Sequence, residues 1–264
     1  MYDFTYQKPA SLADAVKLLG ADPEAKALAG GMTLIPVLKQ RLNKPSALID
    51  LAGAGLAGIS VAGGNVKIGA MTTHVTVADS ADVRKAIPAL AGLAGGIGDK
   101  EVRHRGTIGG SLANDDPTAD YPAAVLALGA TVQTNKRTIG ADDFFQGLFT
   151  TALEPDELIT SVTFPVPEKA AYMKFPNPAS RYALVGVFVA KGPAGVRVAV
   201  TGAGQNGVFR HKAMEAALQK SFSQAAIADV ATPTDGLNSD IHAGAEYRAH
   251  LIGVMARRAV AAAG

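Results

Sequence analysis

Two pairs of adjacent glycines are the residues of this sequence best suited to bind a ligand. Gly30-Gly31 is followed by Thr33, and Gly109-Gly110 lies between Thr107 and Ser111. Glycine is used where φ is positive or where a second backbone or a ligand comes close. Backbone N–H groups in such turns can converge on an anion. The pattern therefore favours a cofactor that carries phosphate, although each segment alone is also compatible with a tight structural turn.

The elements around the first pair support a phosphate site. Residues 26–29 are typical of a short strand, and apolar residues recur at helical spacing from Leu34 to Leu42. Pro36 falls early enough for a first helical turn. A strand, a glycine pair and a helix start point free N–H groups and the positive end of a helix dipole at a phosphate. The second pair follows a short β-type run and precedes an apolar helix that starts near Pro122.

Residues 53–58 match the glycine pattern of dinucleotide-binding folds. That pattern requires a long helix that opens at the glycines. Here Ile59–Ala62 returns as a β-type run, followed by Gly63-Gly64 and a second β-type run over 66–71. The sequence therefore predicts a β-hairpin, and we reject a Rossmann site.

Other chemistry has little support. The 5 histidines show no metal-ligand spacing, and no arrangement resembles a hydrolytic site. Asp115-Asp116 offers paired carboxylates, but the following Pro117 favours a role in a turn. We therefore assign neither catalytic residues nor metal ligands to this chain.

Composition restricts the function classes. The chain has 264 residues, 48% hydrophobic and 18% charged, which is typical of a globular protein. A net charge of +2 argues against a nucleic-acid binder. Cysteine is absent, so an iron–sulfur cluster held by thiolates must lie on another chain. No apolar run is long enough to span a membrane, and the first residues lack the features of a secretory signal, so we expect a cytoplasmic protein.

The pattern of elements predicts an α+β architecture. The candidate boundary is Pro165-Val166-Pro167. It separates an N-terminal domain, residues 1–165, with lobes at about 1–56 and 57–165, from a C-terminal domain, residues 166–264. The C-terminal domain is predicted to contain strands over 172–175, 184–190 and 196–201, and helices over 211–220, 223–230 and 243–262.

Several of these segments together resemble the FAD-binding subunit of the molybdenum hydroxylases, the xanthine dehydrogenase family. Within that family they are most similar to the carbon monoxide dehydrogenase type of medium subunit. The resemblance rests on Ala29–Leu34, Ile68–His74, Thr107–Ser111, Lys174-Phe175 and His242–Arg248, and it covers nearly the whole chain. It implies a two-lobed FAD-binding domain of the PCMH/vanillyl-alcohol-oxidase type, then a domain with a three-stranded antiparallel sheet and helices that covers the cofactor.

The resemblance also implies an oxidoreductase subunit that passes electrons from partner iron–sulfur clusters through FAD to an external acceptor. The expected partners are an iron–sulfur small subunit and a large subunit with the molybdenum cofactor, in a heterotrimer or its dimer. Two alternatives remain, an autonomous flavin oxidoreductase and a non-redox nucleotide-binding protein of the same fold. The substrate and the acceptor are left open by this chain.

The resemblance implies specific FAD contacts. Ala29–Ile35 and Thr107–Ser111 would hold the diphosphate and ribityl groups, Asp120 would bind cofactor hydroxyls, and Ile159 would lie near adenine. Ile97 and Tyr182 would lie near the isoalloxazine ring, and Lys174 would also contact FAD. The full set is Ala29, Gly30, Gly31, Met32, Thr33, Leu34, Ile35, Ile97, Thr107, Ile108, Gly109, Gly110, Ser111, Asp120, Ile159, Lys174 and Tyr182.

Simpler roles compete with some of these contacts. Ile97 and Ile159 would serve equally as core residues, and Asp120 is a preferred residue type for capping the helix that starts near Pro122. Lys174 and Tyr182 would also suit a solvated surface. Met32 and Ser111 stand where other family members often have Gln or His and Asn, which weakens side-chain assignments at those two positions.

Overall fold

The first element of the fold is a small parallel sheet. The computed structural model describes residues 1–193 and 195–264. The sheet has the order β1-β3-β2 and carries two helices. Its elements are β1 (Thr5–Gln7), α1 (Leu12–Ala21), β2 (Lys26–Leu28), α2 (Leu34–Lys39) and β3 (Ala47–Asp50). Ser11 caps α1 by accepting the N–H of Asp14 at 3.1 Å, which fixes the start of this helix.

The second sheet is antiparallel, with the order β4-β5-β10-β6-β7. A two-stranded hairpin, β8–β9, lies beside it. The strands are β4 (Ile59–Ala62), β5 (Asn65–Gly69), β6 (Thr131–Thr134), β7 (Thr138–Gly140), β8 (Phe145–Gly147), β9 (Thr150–Thr151) and β10 (Ile159–Pro165). β4 pairs with β5 through a turn at Gly63-Gly64, where both glycines have positive φ. The predicted hairpin is therefore confirmed, and no dinucleotide-binding helix follows Gly58.

Short helices connect the strands of this sheet. They are α3 (His74–Asp79), α4 (Ala81–Ala86), α5 (Pro88–Gly95), α6 (Lys100–Arg105), α7 (Ile108–Asn114), α8 (Tyr121–Leu128) and α9 (Ala141–Phe144). Thr73 caps α3, and Pro88 separates α4 from α5. Every residue of α8 is buried, and this helix lies in a core cluster that also includes residues of the C-terminal sheet.

The prediction for the second glycine pair is wrong in one respect. The run before it is the helix α6, capped by Asp99, and not a β-type run. Gly109 and Gly110 lie inside α7, which Thr107 caps by accepting the N–H of Gly110. Neither glycine has a positive φ. Asp99 and Thr107 thus fix the starts of the two helices that surround the glycine pair.

The C-terminal part is an antiparallel sheet packed against a long helix. Its order is β11-β12-β13-β14. The elements are β11 (Lys169–Pro176), β12 (Ala183–Gly192), β13 (Gly195–Thr201), β14 (Phe209–Arg210), α10 (Lys212–Lys220) and α11 (Ala245–Ala263). A two-residue strand, β14, thus joins the three predicted strands. None of the described helices combines the length and apolarity needed to cross a membrane.

The helix predicted over 223–230 is wrong. Only a single 3-10 turn forms there, at Ala225–Ile227. Ser223 accepts the N–H of Ala226, but Ile227 is the only buried residue of that turn. Short helices are stabilised mainly by tertiary packing of an apolar face. With one buried residue, this turn lacks the packing that would stabilise a longer helix.

Asp142 joins the C-terminal sheet to the helices of the second sheet. Its carboxylate pairs with Arg197 at 3.0 Å and with Arg210 at 3.1 Å. Arg197 also donates to the carbonyl of Leu126 at the end of α8, and Arg210 pairs with Glu215 of α10 at 2.7 Å. Burial opposes ionisation of Asp142, but the two arginines lower its pKa overall.

We expect Asp142→Ala to reduce the free energy of unfolding by about 1 kcal/mol, because the half-exposed carboxylate is partly screened by solvent. Urea unfolding measures the change. Asp143→Ala removes the neighbouring carboxylate, which forms no ion pair within the described residues, and serves as the control. Equal stability of the two variants would contradict the proposed junction.

Candidate functional site

A cleft of about 700 Å³ lies between the two N-terminal sheets and the turn from β11 to β12. Its volume is in the range of small-molecule sites. Residues 29–34, 106–107, 109–111 and 179–182 contribute to its walls, together with Ile97–Asp99, Asp116 and Asp120. The two glycine segments therefore lie in one site, although 76 residues separate Gly31 from Thr107 (107 − 31).

The two glycine segments touch each other through their backbones. A Cβ on Gly30 would lie 2.0 Å from the carbonyl oxygen of Arg105 and 2.8 Å from the Cα of Gly106. A Cβ on Gly110 would lie 3.2 Å from the Cβ of Ala29. Of the two pairs, only Gly31 has a positive φ, of 75°. Close approach is thus the main reason for glycine here.

Free N–H groups are concentrated in the first segment. Within the part of the chain that the structure describes, the N–H groups from Gly30 to Leu34 have no acceptor. In the second segment, Ile108 donates to Thr72, Gly109 to Ala70, and Ser111 to Thr107. Gly110 also donates to the hydroxyl of Thr107, so only the N–H of Thr107 has no acceptor among the described residues, and a single N–H does not form the expected anion nest.

Most of the predicted cofactor-binding residues line this cleft. They are Ala29, Gly30, Gly31, Met32, Thr33, Leu34, Ile97, Thr107, Gly109, Gly110, Ser111, Asp120, Ile159 and Tyr182. Ile35, Ile108 and Lys174 do not line it. Ile35 packs behind Gly31, and Ile108 is fully buried in the core. The contacts with a cofactor stay predictions.

Asp120 is buried, and both of its oxygens are occupied. Oδ2 accepts from Nζ of Lys174 at 2.9 Å, and Oδ1 accepts from the hydroxyl of Tyr172. Lys174 also donates to the carbonyl of Gly96 at 3.2 Å. Asp120 makes no capping hydrogen bond to α8 and Lys174 is not solvated, so both simpler alternatives are wrong. The ion pair instead joins the start of α8 to β11.

His74 is a cleft residue to which the sequence assigned no role. It is 5% exposed, its Nδ1 has no partner among the described residues, and its ring centroid lies 5.4 Å from that of Tyr121. Burial lowers the pKa of His74 to about 4, and the charge of Arg103 acts in the same direction. The imidazole is therefore neutral at neutral pH. His74 also lies against Gly106, where a side chain would collide with Nε2.

The turn role expected for Asp115-Asp116 is confirmed. Oδ1 of Asp116 accepts the N–H of Thr118 at 2.8 Å, and Asp115 ends α7 with a left-handed φ of 44°. Asp115 is buried, whereas Asp116 lines the cleft. Burial and then repulsion by Asp116 raise the pKa of Asp115 to about 7.

Comparison with known proteins supports a cofactor role for this cleft. Residues 2–167 match the family described as the FAD-binding domain in molybdopterin dehydrogenase. The nicotine 6-hydroxylase medium subunit of Paenarthrobacter nicotinovorans is 37% identical over 98% of this chain and 96% of its own length. The carbon monoxide dehydrogenase medium chain of Afipia carboxidovorans is 35% identical, covering 97% and 95%. In the solved carbon monoxide dehydrogenase of Hydrogenophaga pseudoflava, a chain 35% identical superposes with a TM-score of 0.89, covering 99% and 97%.

We expect Gly30→Ala to destabilise the protein by about 2 kcal/mol, because the new methyl group would meet the backbone of Arg105. Gly92→Ala, in α5, is the control, since nothing lies within 4 Å of its added Cβ. Urea unfolding of both variants measures the difference. If Gly30→Ala were as stable as Gly92→Ala, the contact between the glycine segments would not constrain the fold.

We expect His74 to make stability depend on pH in mild acid. Its folded pKa of about 4 lies below the ordinary value of 6.5, so the unfolded chain binds more protons between these values. Its contribution is complete above the ordinary value and is lost progressively as the pH falls toward about 4. His74→Phe should flatten the unfolding free energy in that window, and the exposed His242→Phe should not. A slope unchanged by His74→Phe would contradict this assignment.

Proposed function

The chain belongs to the family of FAD-binding domains of the molybdopterin dehydrogenases, and from this premise we propose that the cleft between its glycine segments holds FAD. The chain is an FAD-binding medium subunit of a heteromeric molybdenum hydroxylase. Bound FAD supplies the redox chemistry, and the protein supplies position and electrostatics. No residue of this chain is proposed to make or break a bond in the substrate.

The observation that carries this proposal is the row of free N–H groups from Gly30 to Leu34. They lie in a partly exposed segment at the wall of the cleft, beside the contact with the second glycine segment. Unpartnered backbone N–H groups are suited to donate hydrogen bonds to the oxygens of a diphosphate. The second segment packs against the first, with Gly106 beside Gly30 and Gly110 beside Ala29.

We propose that the remaining cleft residues contact different parts of FAD. Ile159 serves the adenine side, and Ile97 and Tyr182 serve the isoalloxazine side. Asp120 acts there mainly by fixing Lys174 and Tyr172, because each of its oxygens already accepts a hydrogen bond. The FAD-binding domain is proposed to comprise residues 1–165, with 166–264 forming the C-terminal domain.

The proposed partners are an iron–sulfur small subunit and a molybdenum-binding large subunit, in a heterotrimer or its dimer. The sequence has no cysteine, so the thiolates that hold such clusters must come from another chain. Relatives are named as medium subunits or medium chains, which supports an assembly of several chains. The cytoplasmic location stays a prediction.

The test compares two samples, the isolated chain loaded with FAD and the complete complex. We expect carbon monoxide, an aldehyde or an N-heterocycle to leave the flavin of the isolated chain oxidised, because the substrate site is proposed to lie on another chain. With the partners present, one of these substrates should bleach the flavin in stopped-flow absorbance. Dithionite is the control that the flavin is reducible. Rapid bleaching of the isolated chain by a substrate would favour the autonomous flavin oxidoreductase instead.

A further inference from the structure

The wall of the cleft near Tyr182 carries one carboxylate without a basic partner. Asp116 and Asp120 both line this wall. Tyr182 lines the same cleft, and its pKa is raised by burial and then by the charges of Asp116 and Asp120. Lys174 neutralises Asp120, whereas Asp116 forms no ion pair with any described residue. Arg181 also lines the cleft but is exposed to solvent, which screens its charge.

Asp116 is held in a fixed position by the turn around it. The backbone and hydroxyl of Thr118 donate to Oδ1 at 2.8 and 2.6 Å, and no described residue donates to Oδ2. The carbonyl of Pro117 accepts the N–H of Gly202 at 2.9 Å, and the carbonyl of Ala119 accepts from Thr201 at 2.6 Å. The segment is thus tied to the end of β13. A charge fixed in this way exerts a constant field on the cleft.

The field of Asp116 also acts on its buried neighbour. Asp115 is buried and does not line the cleft, and the charge of Asp116 is the second cause, after burial, of its raised pKa. A charge in a partly dry site interacts more strongly with other charges than it would in water. Asp116 is therefore placed to influence any group that changes charge at this wall.

We propose that the carboxylate of Asp116 lowers the reduction potential of FAD bound in this cleft. The inference depends on the proposed function, which puts the isoalloxazine ring beside Tyr182. Reduction adds two electrons to a flavin, and when it takes up one proton from water the reduced ring carries a negative charge. A nearby carboxylate disfavours that charge. Asp116 thus makes the reduced cofactor a stronger electron donor to the acceptor.

The test is the reduction potential of FAD in the holoenzyme, measured by equilibrium with a redox dye as dithionite is added. Asp116→Asn removes the charge and keeps an oxygen that can accept from Thr118. At the solution potential where the wild-type flavin is half reduced, the ratio of reduced to oxidised flavin should rise about fivefold in this variant.

Asp50→Asn is the matched control. Oδ1 of Asp50 accepts the N–H of Ala52, two residues ahead, as Asp116 does with Thr118. Asp50 does not line the cleft, so its variant should keep the wild-type ratio. Asp116→Glu restores the charge and should return the ratio toward the wild-type value.

A ratio for Asp116→Asn equal to or below the wild-type value would overturn the proposal. If that variant does not retain FAD, Asp116→Ser, which keeps a hydroxyl acceptor for the turn, carries the same expectation. Loss of FAD from both neutral variants would assign Asp116 to binding and also overturn it. Absence of FAD from the wild-type complex would instead contradict the proposed function.

Discussion

The candidate site depends on one steric constraint, the contact between the backbones of two glycine segments. Gly30 lies directly on Arg105 and Gly106, where a single Cβ would collide with main-chain atoms. This contact brings the first sheet against the helices of the second sheet, and the N–H groups after Gly30, in the wall of the cleft, have no acceptor among the described residues. The same missing side chain therefore closes the fold and exposes the groups suited to a diphosphate.

A second contact depends on glycine in the same way, on the side of the C-terminal sheet. A Cβ on Gly186 would lie 2.2 Å from the hydroxyl oxygen of Tyr172. Because that space is free, Tyr172 reaches Asp120, and Lys174 on the same face of β11 completes the buried ion pair. The carboxylate of Asp120 thus fixes β11 against the start of α8. It must keep its partners because an unpaired buried charge is costly.

Local signals in the sequence were sufficient for much of the fold. The hairpin turn at Gly63-Gly64 depends on neighbouring residues and is confirmed. The caps at Ser11 and Thr73 and the helix start at Pro88 are equally local features. The pairing of Asp120 with Tyr172 and Lys174 joins residues 52 and 54 positions apart, so no local pattern reveals it. The use of the second segment's N–H groups by Thr72 and Ala70 was missed for the same reason.

The charges inside the cleft explain why composition gave no sign of a ligand. Lys174 neutralises Asp120, and Arg137 pairs with Glu157, so buried carboxylates there are compensated one by one. His74 is uncharged at neutral pH. A diphosphate in this cleft would therefore be held mainly by backbone N–H groups, which add nothing to a net charge of +2. Recognition by the backbone also tolerates Met32 within the segment, since the side chain at that position need not bind the phosphate.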